Sequence, residues 1–343
     1  MSLELGSLGL TISVFVTCAG LILLAGVKLT HLADTLSKRT SLGPALMGAV
    51  LLGGTTSLPG IITSVSTAWQ GFPDLATSNA IGGIAAQTVF LIFADIIYRK
   101  ANLEHAAASV ENLVQCSLLI AMLAIVMVGT SGPNWTVFAI HPVSFFILVA
   151  YFFGLKLVND CKAFPGWTPR NTSDTEPEGK MTLLDRSLST LWFQFALCGL
   201  VVGLAGYGIG ETGIAISKQT GLSQTVVGTL LTSTATSLPE LVTVLAAVRM
   251  GALALAVGDI IGGNAFDVLF LAFADFAFRE GSIYHRINND TSFLLSVSLL
   301  MSVVVLLGLL RRERRGLGNI GFEGVITLGL YAWAVWVITT GAM

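Results

Sequence analysis

The sequence predicts an all-α membrane protein of ten transmembrane helices, arranged as two inverted five-helix repeats. Three observations carry this expectation: an apolar composition, a stretch that occurs twice, and one long polar connection near the middle of the chain. Of the 343 residues, 54% are hydrophobic and 11% charged, with a mean hydropathy of +0.81. That lies outside the range of a soluble domain of this length. Residues 41–95 recur without a gap at 221–275, and 20 of the 55 aligned positions are identical. The identities include Thr56-Ser57-Leu58-Pro59 with Thr236-Ser237-Leu238-Pro239, Gly82-Gly83 with Gly262-Gly263, and Phe93-Ala94-Asp95 with Phe273-Ala274-Asp275.

A bilayer crossing needs about 20 apolar residues. Such segments fall at 8–32, 42–68, 75–98, 112–131 and 135–158, then at 188–217, 222–248, 253–278, 291–310 and 320–341. Between the two sets, residues 159–187 carry Lys162, Pro165, Pro169, Arg170, Asp174, Glu176, Pro177, Glu178 and Lys180 and read as a solvated linker. The expected organisation is therefore a first repeat (1–158), a linker (159–187) and a second repeat (188–343). Loops after odd-numbered helices collect Lys38, Arg39, Arg99, Lys100, Lys162, Arg170, Lys180, Arg186, Arg249, Arg311, Arg312, Arg314 and Arg315, whereas the other side keeps Lys218, Arg279 and Arg286. The positive-inside rule then puts the linker in the cytoplasm and both termini outside, in a multi-pass protein of the cell inner membrane. Five crossings per half is odd, so the second repeat enters from the opposite side, a plan recurrent in secondary transporters. Met1-Ser2-Leu3-Glu4 lacks a basic n-region, so the first helix is expected to be a span rather than a cleaved signal.

Other classes find little support. Cys18, Cys116, Cys161 and Cys198 are scattered without metal-ligand or disulfide-framework spacing. The net charge of −2 carries no nucleic-acid signal. Hydrolase, zinc-protease and phosphate-loop motifs are lacking, and His31, His105, His141 and His285 are expected at helix ends or in loops. No enzyme and no cofactor are expected; the expected partners are inorganic cations and the lipid bilayer. Arg311-Arg312-Glu313-Arg314-Arg315 reads as a topology anchor.

The repeated motif carries the chemistry. Pro59 and Pro239 fall inside spanning helices, where proline cannot donate to the carbonyl four residues earlier and releases those of Thr55 and Ala235. Free carbonyls at membrane depth belong beside protein or water, so broken helices mark cavities. The hydroxyls of Thr56, Ser57, Thr232, Ser233, Thr234, Thr236 and Ser237 add hard oxygen donors, suited to Na⁺ or Ca²⁺. Glu240 and Asp267 are intramembrane acids, each costing about 2.5–3.5 kcal/mol even on a lenient scale, and so demand a cation or a proton. Asp259, Gly263 and Asp267 share a helix face. The glycine pairs permit close backbone approach. Asp95 with Arg99 and Asp275 with Arg279 have the spacing of helical ion pairs at the membrane boundary, and Lys28 is expected to snorkel.

Gly228 to Leu241, ending Thr-Ser-Leu-Pro-Glu-Leu, followed by Gly258-Asp259-Ile260-Ile261-Gly262-Gly263-Asn264-Ala265-Phe266-Asp267, resembles the second alpha repeat of the cation/calcium exchanger superfamily, which includes the sodium/calcium exchangers. Residues 48–95 resemble the first. The resemblance implies a ten-helix antiporter whose second, third, seventh and eighth helices form the ion sites, with Glu240 as a principal calcium ligand and Asp267 as a sodium- or proton-linked ligand. Thr56, Ser57, Thr236 and Ser237 would add backbone and hydroxyl oxygens, with Ser233 and Gln87 beside them. The chain departs from the family pattern at Gly60, where a Glu is usual, at Ile84 after Gly82-Gly83, and at Gln87, where Asn or Asp is usual. Three functions stay open: exchange of Ca²⁺ or a related cation against Na⁺ or H⁺, monovalent-cation/proton exchange, and a non-transporting sensor or partner on the same fold.

Overall fold

The computed structural model describes residues 6–39, 54–107, 109–168, 187–316 and 320–341. In the first half, α1 (Leu8–Arg39) is followed by a single turn, Gly54–Thr56, and then by α2 (Leu58–Trp69), α3 (Pro73–Ile97), the short α4 (Leu103–Ala106), α5 (Val110–Ser131) and α6 (Pro142–Ala163). The second half has α7 (Leu188–Thr220), α8 (Gln224–Thr236), α9 (Leu238–Arg249), α10 (Leu253–Asp267), α11 (Leu269–Ala277), α12 (Asn289–Arg311) and α13 (Phe322–Thr340). Among the described residues, eight helical segments are long and apolar enough to cross a membrane, and α8 with α9, bent by 48°, adds a ninth if the pair is one span. The expected span 42–68 lies partly outside the described residues, as does most of the expected linker.

Hydropathy located the spans and misjudged several ends, because the helices run on under local capping. The first expected end, residue 32, is passed by seven residues, so His31 sits within α1 and not at its end. The expected start at 135 is replaced by a start at Pro142, where His141 caps the helix through Val143 N–H. Gly221, at φ 75°, closes α7 in the left-handed conformation, where glycine carries no Cβ penalty.

Two long helices sit inside and the rest surround them. In the α3 span 83% of the apolar window is buried, and in α10–α11 72%, against 17% for α1 and 22% for α7. The outer helices turn Phe146, Phe153, Leu200, Leu204 and Trp336 outward, as a lipid-facing surface requires. The inner pair is thus the place where polar side chains can lie away from lipid.

Close contacts between the halves are reciprocal. A Cβ on Gly26 of α1 would lie 2.7 Å from Pro239 Cγ, and one on Gly206 of α7 would lie 2.8 Å from Pro59 Cα. Gly26 and Gly206 stand 180 positions apart, so the repeat register extends beyond the stretch found in the sequence. Gly82 behaves as its pairing suggests, with a Cβ there 2.7 Å from Thr229 Cα, whereas Gly262 has 3.6 Å of room.

The expected boundary ion pairs do not form. Asp95 is buried, and its Oδ1 accepts from Leu103 N–H at 2.6 Å. Asp275 accepts from Ile283 N–H at 2.9 Å, His141 N–H at 2.8 Å and the Ser144 hydroxyl at 2.7 Å. Arg99 and Arg279 stay exposed. The aspartates bury themselves as caps on the following loops, since amide donors inside the protein satisfy them better than solvated guanidinium groups.

Candidate functional site

The two Thr-Ser-Leu-Pro motifs break their helices at the serine. Ser57 separates Gly54–Thr56 from α2, and Ser237 separates α8 from α9. Pro59 and Pro239 therefore occupy the first turn of a new helix, where a missing N–H costs nothing, rather than the interior of a continuous one. Pro239 still cannot donate to the Ala235 carbonyl. Ahead of the second break, Val227–Thr232 forms a π-helical stretch, a local widening frequent at functional sites. α10 and α11 break at Val268, directly after Asp267.

These interruptions bring six of the expected residues together. The Ser57 hydroxyl donates to Asp267 Oδ1 at 2.6 Å. Gln87 Nε2 donates to Asp267 Oδ2 at 2.6 Å and to Ser237 Oγ at 3.0 Å. Gln87 and Asp267 are repeat-equivalent, as are Ser57 and Ser237, so each serine meets the polar side chain of the opposite half. Glu240 stands in the first turn of α9 at 2% exposure, its carboxyl accepting from the Thr56 hydroxyl and from its own backbone N–H. Among the described residues no donor reaches Glu240 Oε2 or Gln87 Oε1. An amide, two carboxyls and several hydroxyls thus converge at the breaks, with Glu240 Oε2 left for a cation or a proton and Gln87 Oε1 for a cation.

Other expected donors point elsewhere. The Ser233 hydroxyl donates to Thr229 C=O at 2.5 Å and the Thr236 hydroxyl to Ser233 C=O at 3.1 Å, so both are spent within their own helix. Ser57 and Ser237 carbonyls accept from Ile61 and Leu241 N–H, leaving their hydroxyls as the groups turned to the site. Asp259 accepts from the Thr243 hydroxyl at 3.1 Å. Asn79, its repeat equivalent, bridges Ser64 at 2.9 Å and Thr232 at 2.7 Å.

The first repeat offers no cavity at Gly60 for a missing acid. A Cβ there would lie 2.5 Å from Phe270 Cε2 and 3.0 Å from Cζ. Phe270 fills the space at Gly60, the position that corresponds to Glu240, so the asymmetry is built into the packing. Among the described residues no three His, Cys, Asp or Glu side chains converge as a metal cage, consistent with a site made largely of hydroxyl and amide oxygens.

Two further buried polar contacts lie outside the expected ligand set. Glu211, inside α7 and 2% exposed, accepts from Gln70 Nε2 at 2.5 Å; its one-residue signal, an acid in an apolar run, was there to be read. Asn264 donates to Thr88 at 3.0 Å and tethers α10 to α3.

A buried polar cluster at helix breaks, enclosed by lipid-facing helices, defines an ion-handling membrane protein. The chain belongs to the sodium/calcium exchanger protein family, whose pattern matches residues 10–155 and 190–340. It is similar to the inner membrane protein YrbG of Escherichia coli, 22% identical over 317 residues, 91% of this chain and 92% of the relative. Its fold resembles that of the H⁺/Ca²⁺ exchanger CAX at a TM-score of 0.72 and 11% identity, over 96% of this chain and 85% of that one. It also resembles the sodium-calcium exchanger NCX_Mj at a TM-score of 0.61 and 17% identity, over 95% and 97% of the two chains.

Proposed function

We propose that the protein is a secondary antiporter that moves Ca²⁺ or a related cation against Na⁺ or H⁺ by alternating access. Its ten spans would form two inverted repeats, with the linker cytoplasmic and both termini outside. The observation that carries the reading is the buried Glu240 carboxyl with its Oε2 left without a donor, near the Ser57–Asp267 and Gln87–Ser237 contacts. A buried carboxylate of this kind requires a counter-charge, and an ion delivered from either side supplies it. Glu240 would be the principal ligand, Asp267 the second acid, and Thr56, Ser57, Ser237 and Gln87 the neutral oxygens; Thr236 and Ser233 would contribute only after turning from their own helix. Ca²⁺ takes six to eight oxygens, so waters would complete its shell.

Phe270 against Gly60 favours a second reading, a monovalent-cation/proton antiporter. A site with one glutamate offers less charge and fewer oxygens than a two-glutamate site, and a single Na⁺ or proton would neutralise Glu240 alone. Flux measured in proteoliposomes with imposed Ca²⁺, Na⁺, K⁺ and H⁺ gradients decides between them. Ca²⁺ uptake driven by an outward Na⁺ or H⁺ gradient is expected; Na⁺/H⁺ exchange without Ca²⁺ movement selects the second reading. Absence of ion-coupled flux under every gradient sinks both.

A further inference from the structure

The repeat-equivalent loops at the far ends of α3 and α11 differ in a way that transport chemistry does not require. In both, an aspartate at the helix end accepts from a backbone N–H eight residues on, Leu103 for Asp95 and Ile283 for Asp275. Both also accept an N–H from the residue just before another helix, Gly321 ahead of α13 for Asp95 and His141 ahead of α6 for Asp275. In the second half the pocket is then filled by Tyr284, whose hydroxyl meets Ser144 at 3.0 Å while Ser144 donates to Asp275. That cluster is closed, with donors and acceptors matched.

In the first half the position of Tyr284 is taken by Glu104, and α13 adds Glu323. Both are buried, at 4% and 1% exposure, and the two carboxyls lie within hydrogen-bonding reach of each other. Asn102, fully buried, donates Nδ2–H to Glu323 Oε1 at 2.5 Å and its backbone N–H to Arg314 C=O at 3.0 Å. Three acceptor oxygens are then left without a donor among the described residues: Glu104 Oε2, Glu323 Oε2 and Asn102 Oδ1. Two of the three belong to carboxyls, and the third is a carboxamide oxygen that no protonation can satisfy. An orphaned buried acceptor costs about 1–3 kcal/mol, so three gathered in one cluster call for a common donor or ligand.

We propose that Glu104, Glu323 and Asn102 form a second cation site, separate from the one at Glu240, which binds a single divalent cation of the Ca²⁺ class. Two carboxylates balance the divalent charge, and the all-oxygen donor set matches a hard cation. Asp95, already held by two amides, stands behind the ligands and adds negative potential. The remaining charged groups nearby are His105 and Arg312, which clasp each other through backbone oxygens at 2.8 and 3.1 Å. Arg311 pairs with Glu313 at 3.6 Å, and Asp259 on α10, which packs on the same turn, is held by Thr243. A bound ion would tie the α3–α5 connection to the first turn of α13.

The test uses purified full-length protein carrying Glu240→Gln, which disables the transport site, and measures Ca²⁺ binding by calorimetry together with thermal stability in Ca²⁺ and in chelator. One saturable Ca²⁺ equivalent is expected, with a Tm that is higher in Ca²⁺ than in chelator. Adding Glu104→Gln with Glu323→Gln should eliminate that equivalent or weaken it at least about tenfold. Glu104→Tyr, which copies the closed cluster of the second half, should do the same and guards against misfolding of the double variant. Ca²⁺ binding unchanged by these substitutions overturns the proposal. So does a Tm that Ca²⁺ leaves unchanged, which would mean that the two glutamates are satisfied without a metal ion.

Discussion

The two copies of the Thr-Ser-Leu-Pro motif share a backbone plan and differ in charge. At the first break Gly60 faces the Phe270 ring; at the second Glu240 is buried with an unsatisfied oxygen. Opposite them, Gln87 and Asp267 stand in equivalent positions and are joined by a 2.6 Å hydrogen bond. One half therefore supplies the acids and the other the neutral partners that hold them. The duplication builds the broken helices twice, and the buried acids at the breaks, Glu240 and Asp267, are concentrated in one copy.

The sharpest way to break that comparison is Glu240→Gln. If Glu240 is the residue whose charge an ion must balance, transport falls by at least about a hundredfold (roughly 2.7 kcal/mol) while the protein stays folded, because an amide is nearly isosteric. Flux in proteoliposomes checks it. Retained transport would move the function away from the second copy. Asp267→Asn is the next step down. Ser57 and Gln87 already donate to both carboxylate oxygens, and an amide nitrogen would confront one of those donors. A loss of about tenfold or more, with a changed counter-ion dependence, is expected in the same assay.

Gly60→Glu tests whether the first copy could be restored. The added side chain meets Phe270 immediately, so the single variant should lose about 1–3 kcal/mol and gain no Ca²⁺ flux. Pairing it with Phe270→Ala opens the space, and the double variant should recover stability relative to Gly60→Glu and gain Ca²⁺ transport. Ca²⁺ flux from the single variant, or none from the double, would show that the ring does not set ion choice.

Much of this was legible in residue patterns, for definite reasons. Spans, the duplicated motif and the acids Glu240 and Asp267 follow from transfer energetics and simple matching, and these register strongly in an apolar chain. The Gln87–Asp267 contact does not, since it joins two helices across 180 positions and hinges on how their faces meet. Ser233 and Thr236 were expected as ligands by residue type, yet helical hydroxyls readily return to their own turn's carbonyls. Asp95 and Asp275 fitted an i,i+4 ion pair, but helices ending at Ile97 and Ala277 leave Arg99 and Arg279 off the helical surface that such a pair requires. Phe270 against Gly60 had no signal at all, because sequence spacing says nothing about which ring fills a gap.

The smallest expected effect separates the two copies by packing alone. A methyl on Gly206 would press on the Pro59 backbone, 2.7 Å from its carbonyl oxygen, whereas one on Gly26 would press on the Pro239 ring, 2.7 Å from Cγ. A ring can pucker and a backbone at a helix break must shift with both helices it joins. Gly206→Ala should therefore lower thermal stability more than Gly26→Ala, by about 1 kcal/mol or less. Equal losses would mean that the two breaks are equally rigid, and that charge alone distinguishes the halves.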